Sequence, residues 1–110
     1  MTWLYGRIIQ STRIGTYRVV DLVKLEVEYL TRQAMQAPDG RFFHSPRYKV
    51  SFNVECARMT LGLQLAGPIL RANGDVVDAQ LAKAGAARGL SALRRGVREH
   101  LLTAIVGKNA

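Results

Sequence analysis

Residues 47–67, RYKVSFNVECARMTLGLQLAG, alternate polar and apolar side chains, break phase at Cys56–Ala57, and then alternate again. Such alternation is typical of a β-strand with one buried face, because successive side chains of a strand point to opposite sides. One extra residue on a strand restores its apolar side to the core, so the phase slip predicts a β-bulge. A tight turn is the alternative, although ECAR contains no Gly, Pro or Asn. The segment therefore predicts one long, two-faced strand.

Residues 17–30 show a similar alternation, with β-branched side chains enriched on the apolar face. A helix would instead place four residues on one stripe: Val20, Val23, Val27 and Leu30. The alternation is cleaner than the stripe, so a strand is favoured. Asp21 lies on the apolar face of this strand, where it is either a buried acid or the sign of a bulge or a later strand start.

Turn signals separate the remaining segments. Residues 2–10 alternate as a strand does, and STRIG, residues 11–15, offers turn chemistry before Thr16, so a first hairpin is predicted. Pro38 with Asp39–Gly40 predicts a turn over residues 37–41. Asn73–Gly74 predicts a hairpin turn between two short apolar strands, and Pro68 argues against a helix there.

The C-terminal part of the sequence predicts helices. Asp78 is a candidate cap for a weak, alanine-rich helix over residues 79–89, and Ser91 caps a second helix that Gly107 ends. The second helix carries an apolar stripe: Leu93, Val97, Leu101, Ala104 and Ile105. Arg94, Arg95 and Arg98 lie off that stripe.

Together these segments predict a single domain over residues 1–110 with an α+β fold. We expect an antiparallel β-sheet of about five or six strands, with one or two C-terminal helices packed on one face. A strand over residues 17–30 would span about 46 Å, whereas the C-terminal helix covers about 24 Å. Because one helix cannot cover such a sheet, a second subunit is expected to complete it. The predicted interface comprises Leu93, Val97, Leu101 and Ile105, in a homodimer or larger homo-oligomer.

The charge balance indicates a polyanionic partner. The chain of 110 residues has 16 Lys and Arg against 8 Asp and Glu, which gives a net charge of +8. Most of these cations are arginines, whose planar guanidinium suits phosphate. We therefore expect binding of RNA or single-stranded DNA. The predicted contacts lie on the polar face of the long strand and its neighbours: Arg47, Lys49, Ser51, Asn53, Arg58, Thr60, Lys24 and Arg32.

No catalytic or metal motif is present. The sequence has no glycine-rich phosphate loop, GxSxG elbow or HExxH, and His44 and His100 have no ligand-spaced neighbours. Cys56 is the lone cysteine, so it cannot form an intramolecular disulfide and reads as a small buried hydrophobe. We expect no enzyme activity, no cofactor, no metal site and no membrane partner. The absence of a signal or spanning segment predicts a protein of the cytoplasm, or of a virion.

The order of elements also resembles a known family. A hairpin, long antiparallel strands joined by a DG turn, and a helical end with the sequence GLSALRRGVREHLLTAIVGKNA resemble the coat proteins of small single-stranded RNA bacteriophages. The strand RYKVSFNVE is similar to that family's basic RNA-binding strand. The resemblance implies paired sheets of two subunits, and RNA on the face of Arg47, Lys49, Ser51 and Asn53. The alternative is a small phage- or plasmid-type adaptor or inhibitor that docks its basic face on an acidic protein.

Overall fold

The described part of the chain folds into three helices. The computed structural model describes Arg13–Ile14 and residues 17–109, with side chains described from Arg18 to Thr103. Helices α1 (Val19–Leu30), α2 (Asn53–Ala72) and α3 (Val76–Asn109) contain 12, 20 and 34 residues. Before α1, β1 (Arg13–Ile14) pairs antiparallel with β2 (Tyr17–Arg18). Over the described residues the predicted sheet of five or six strands is therefore wrong. The first hairpin strand predicted over residues 2–10 lies outside them, and within the turn predicted over residues 11–15, Arg13–Ile14 form β1 instead.

Most of the strand predicted over residues 17–30 is helix α1. Val20, Val27 and Leu30 are buried, and Val23 packs against the same core. These four residues form the helical stripe that the sequence also allowed. Both carboxylate oxygens of Asp21 accept hydrogen bonds from the Arg18 guanidinium at 3.1 Å. Asp21 lies in the first turn, where the helix dipole stabilises an acid, so the half-buried carboxylate marks a helix start rather than a bulge.

The long bulged strand predicted over residues 47–67 is also wrong. Residues 47–52 are irregular, and α2 runs without interruption through Cys56–Ala57. Its buried positions include a set spaced by four and three residues: Cys56, Thr60, Leu63, Gly67 and Leu70. The apolar side chains of Val54, Leu61 and Leu65 are exposed, and they produced the apparent alternation. Pro68 lies inside the helix, where it removes one backbone donor but does not end it.

A three-residue connection, Asn73 to Asp75, reverses the chain between α2 and α3. Gly74 has φ +83°, its N–H donates to the Arg71 carbonyl at 3.0 Å, and the Asp75 N–H donates to the Leu70 carbonyl at 2.9 Å. This is a Schellman motif, which requires the left-handed backbone that glycine adopts easily. Asp75 then caps α3, because its Oδ1 accepts from the Asp78 N–H at 3.1 Å. The predicted turn at Asn73–Gly74 therefore joins helices rather than strands.

The C-terminal helix prediction was too fragmented. The cap of α3 is Asp75 rather than Asp78, and Ser91 lies inside one continuous helix that also passes Gly107. The helical stretch is correct, whereas the break between two helices is wrong. Glycines weaken an isolated helix, but packing against a neighbour overrides that preference here.

Helices α2 and α3 pack antiparallel through small side chains. The α3 residues that face α2 recur at spacings of three and four, and we call them the small-residue seam: Ala82, Gly85, Gly89, Ala92 and Gly96. A Cβ at Gly85 would lie 3.1 Å from Leu63 Cδ1, and one at Gly96 would lie 3.1 Å from Asn53 Oδ1. The two helices are therefore close enough that larger side chains on this seam would separate them.

Residues 31–52, which we call the connecting segment, cover one side of the helical hairpin formed by α2 and α3. Buried Gln36 donates to the carbonyls of Gly40 at 3.1 Å and Gly85 at 2.9 Å, and accepts from Arg88 at 3.0 Å. Gly40 has φ +97°, and a Cβ there would collide with the Arg88 carbonyl. The turn predicted over residues 37–41 is confirmed, because the Ala37 N–H donates to the Arg41 carbonyl at 2.8 Å. Phe42, which belongs to this segment, is fully buried.

Substitution of two glycines tests the small-residue seam. A Cβ at Gly89 would collide with the Thr60 hydroxyl and the Phe42 ring, whereas a Cβ at Gly62 meets nothing within 4 Å. Overpacking costs about 1–3 kcal/mol, and the gain in helix propensity from Gly to Ala is about 1 kcal/mol. We expect Gly89→Ala to lower the free energy of unfolding in urea and Gly62→Ala to raise it. Equal effects of the two substitutions would contradict the close approach.

A cluster of charges joins α1 to the start of α3. Lys24 Nζ lies 3.3 Å from Asp75 Oδ2 and 3.6 Å from Asp78 Oδ2. Burial of Asp78, together with the neighbouring carboxyls of Glu28 and Asp75, raises the pKa of Asp78 against the opposing effect of Lys24. Burial tends to raise the pKa of Asp75 as well, but the Asp78 N–H and Lys24 lower it below its usual value. The pKa values of these two neighbouring acids are therefore shifted in opposite directions.

These opposite shifts predict opposite pH dependences. A raised pKa in the folded state means that stability is lost as the pH rises through it, so Asp78→Asn should gain stability relative to wild type from about pH 4 to pH 7. Asp75 has a lowered pKa, so its contribution is present above the ordinary value of about 4 and is lost as the pH falls below it; Asp75→Asn should therefore lose stability relative to wild type as the pH rises from about 2 to about 4. Thermal unfolding of the three proteins from about pH 2 to about pH 7 measures both. Parallel curves for Asp78→Asn and wild type would contradict the assignment.

Candidate docking groove

The eight residues predicted to bind nucleic acid do not share one sheet face, because residues 47–67 do not form a strand. Thr60 is buried beside Gly89, and the hydroxyl oxygen of Ser51 is buried without a hydrogen-bond partner. Lys24 is held in the charge cluster described above, and Lys49 donates to the Ala34 carbonyl at 2.7 Å. The remaining four are exposed and lie on the connecting segment and on α2: Arg32, Arg47, Asn53 and Arg58.

The four predicted interface residues lie on α3. Leu93 is partly buried against the core, whereas Val97 and Leu101 are about half exposed. Ile105 is within α3, and its side chain lies outside the described ones. Since Gly96 lies opposite Asn53 at the start of α2, the described α3 residues beyond it extend past the end of the helical hairpin.

A second row of α3 residues follows the same spacing as the small-residue seam on another face. At spacings of four and three, this row, which we call the outer seam, comprises Lys83, Ala87, Leu90, Arg94, Val97 and Leu101. A repeat that averages 3.5 residues keeps its members on one face of a helix. The outer seam therefore presents aliphatic residues interrupted by two cations.

The outer seam borders two adjoining depressions, which we call together the open groove. The first, of about 540 Å³, lies between α2 and α3, and its walls include Leu63, Gly67, Pro68, Ala79 and Ala86. The second, of about 600 Å³, follows α3 from Leu93 to Leu102. Leu90 lines the first and Leu93 the second, so the two lie within one helical turn of each other. No described residue of α1 or of residues 31–52 lines either depression.

The open groove carries charge of one sign. Arg71 and Lys83 line the first depression, Arg94 and Arg98 line the second, and no described acid lines either. None of these four cations has a hydrogen bond or an ion pair among the described residues. The acids that pair with Lys or Arg lie elsewhere, on α1, on the connecting segment and at the start of α3: Asp21, Asp39, Asp75 and Asp78. Glu55, in the first turn of α2, lies 2.9 Å from His44 Nδ1. Part of the surplus positive charge of the chain therefore lies in the open groove.

A third depression, of about 420 Å³, is polar and nearly balanced in charge. It lies at the start of α2 and contains Arg41 and Arg95 together with Asp39 and Glu99. Arg41 Nε lies 2.8 Å from Asp39 Oδ2, and Arg95 donates to the Asp39 carbonyl. Because its guanidinium groups already have partners, this depression offers less free charge than the open groove.

Neither a candidate metal site nor a membrane-spanning helix is found in the part of the chain that the structure describes. Its His, Cys, Asp and Glu side chains form no group of three suited to a metal ion. Among the described helices, none is long and apolar enough to cross a membrane. No protein-family model, curated protein or solved structure matches the chain. The site must therefore be interpreted from its own geometry.

Proposed function

We propose that the protein is a non-enzymatic binding protein that docks the open groove on an acidic protein partner. The observation that carries this proposal is that the described residues of the open groove combine four cations without partners, no acid and aliphatic side chains. An uncovered apolar face rimmed by polar residues is typical of a protein interaction site. Cations around it favour a partner of opposite charge and speed the encounter.

The side chains of the open groove suit a protein better than a nucleic acid. No described residue that lines it is aromatic, so bases have no stacking surface there, and Gln64 is its one uncharged polar side chain. Aliphatic side chains between the cations instead match the apolar core and charged rim of a protein interface. The first depression of the open groove is concave and lies between two helices, which suits a protein surface more than a flat bilayer.

Binding of RNA or single-stranded DNA is the second candidate. The net charge of +8 favours it, as do the exposed side chains of Arg32, Arg47 and Arg58, which have no acidic partner among the described residues. These cations lie outside the open groove, so the two candidates depend on different residues.

Two triple variants test the proposal. Lys83→Gln, Arg94→Gln and Arg98→Gln together remove three charges from the open groove, whereas Arg32→Gln, Arg47→Gln and Arg58→Gln remove three exposed charges elsewhere. Poly-L-glutamate serves as the acidic polypeptide, and fluorescence anisotropy measures its binding to the full chain at low salt. Exposed ion pairs contribute about 0.2–1 kcal/mol each, so the first triple should bind about 3- to 100-fold more weakly than wild type.

The second triple is the matched control, since its loss of net charge is the same. Equal weakening by both triples would show that binding depends on net charge and would contradict the proposal. A single-stranded RNA of mixed sequence is measured in parallel. Tight, salt-sensitive RNA binding that only the second triple weakens would place the second candidate first.

A further inference from the structure

We infer that the acidic partner enters the open groove as a single amphipathic α-helix lying along the outer seam, with acidic residues flanking its apolar face. This inference rests on the proposed function and specifies the shape of the partner. It depends on the spacing of the outer seam, the small residues in the open groove, and its uncompensated charge.

The spacing of the outer seam is that of a helix that packs against another helix. Six positions follow a strict alternation of four and three residues from Lys83 to Leu101. The same repeat in the small-residue seam contacts α2, which shows what this spacing does elsewhere on α3. A 3.5-residue repeat keeps a seam facing a partner helix over several turns. The outer seam is about 27 Å long, the length of a helix of roughly 18 residues.

The first depression is lined in part by three small residues, Gly67, Ala79 and Ala86, which are themselves buried. The more exposed apolar side chains around them are those of Pro68, Ala87 and Leu90. Small side chains allow the backbone of a partner helix to approach closely, and flanking larger ones restrict its lateral position. Pro68 also has no N–H, so the Gln64 carbonyl lacks its usual donor four residues later and can accept from a partner side chain.

The charge of the open groove selects an acidic helix over a second copy of this chain. Lys83 and Arg94 occupy seam positions, and Arg71 and Arg98 lie beside them. A two-fold dimer through this face would bring a second set of the same cations and no described acid. Aspartate or glutamate on the flanks of a partner helix would pair with them instead. Charge complementarity therefore favours this occupant over a second copy of the chain. Self-association through Leu93, Val97, Leu101 and Ile105 stays a prediction.

A pair of peptides tests the shape of the partner. The probe has about 20 residues, with leucines at alternating spacings of three and four and glutamates at the flanking positions. The control peptide has the same composition in an order that spreads the leucines around the helix. We expect the probe to bind the full chain at least tenfold more tightly than the control, and its helix content, measured by circular dichroism, to rise on binding. Poly-L-glutamate is titrated in the same buffer.

A pair of protein variants locates the bound peptide. Val97→Gln with Leu101→Gln alters outer-seam residues that are 50% and 56% exposed, and Leu61→Gln with Leu65→Gln alters α2 residues that are 55% and 56% exposed outside the open groove. Comparable exposure gives both double variants a similar, small effect on folding, which thermal unfolding checks. We expect the first to weaken peptide binding about tenfold or more and the second to change it less than about threefold.

The possible results separate this inference from the proposed function. Equal binding of the two peptides, with poly-L-glutamate still bound through the open groove, would overturn the helix and leave the proposed function standing. Failure of poly-L-glutamate to bind would overturn the proposed function itself. A dimer in sedimentation that Val97→Gln with Leu101→Gln abolishes, and that the probe peptide does not dissociate, would identify a second copy as the occupant and overturn the inference.

Discussion

The close approach of α2 and α3 determines how the connecting segment packs against them. Gly89 leaves room for the Thr60 hydroxyl, and Gly85 leaves room for Leu63 and Gln36. Because these glycines are on α3, the connecting segment can place buried Phe42 and Gln36 directly against the hairpin. The small-residue seam thus buries little side-chain surface but brings the backbones of the two helices close together. Dispersion contacts between the closely packed helices take the place of contacts between large apolar side chains.

This use of small residues explains why sequence patterns alone gave the wrong fold class. In α2, four exposed apolar side chains alternate with polar neighbours: Val54, Leu61, Leu65 and, just before the helix, Phe52. The residues that are buried include Thr60 and Gly67, which a hydropathy pattern does not count as core. A search for burial by size and polarity therefore detects period two, whereas the packed positions follow a period near 3.5. In α1 the correct stripe was visible, and the competing alternation outweighed it.

Local chemistry was more informative than periodicity. The turn at Asp39–Gly40, the reversal at Asn73–Gly74 and the helical C-terminal part all follow from the requirements of particular residues for backbone angles and caps. Among the residues that line the open groove, the sequence indicated Leu93, Val97 and Leu101 as part of a subunit interface. It did not indicate Arg71 or Lys83. Arg71 lies on a different helix, and its proximity to Lys83 depends on the antiparallel register of α2 and α3, which no local pattern contains.

The distribution of acids connects the fold to its surface charge. Asp75 caps α3 and binds Lys24, Asp21 binds Arg18 at the start of α1, and Asp39 binds Arg41 in the turn. Each of these acids therefore supports a local structure and is already paired with a nearby cation. With twice as many cations as acids in the chain, positive charge remains unpaired on several faces, including those of Arg32, Arg47 and Arg58. The open groove is such a face, and its aliphatic lining means that a partner must supply both apolar contact and negative charge to bury it favourably.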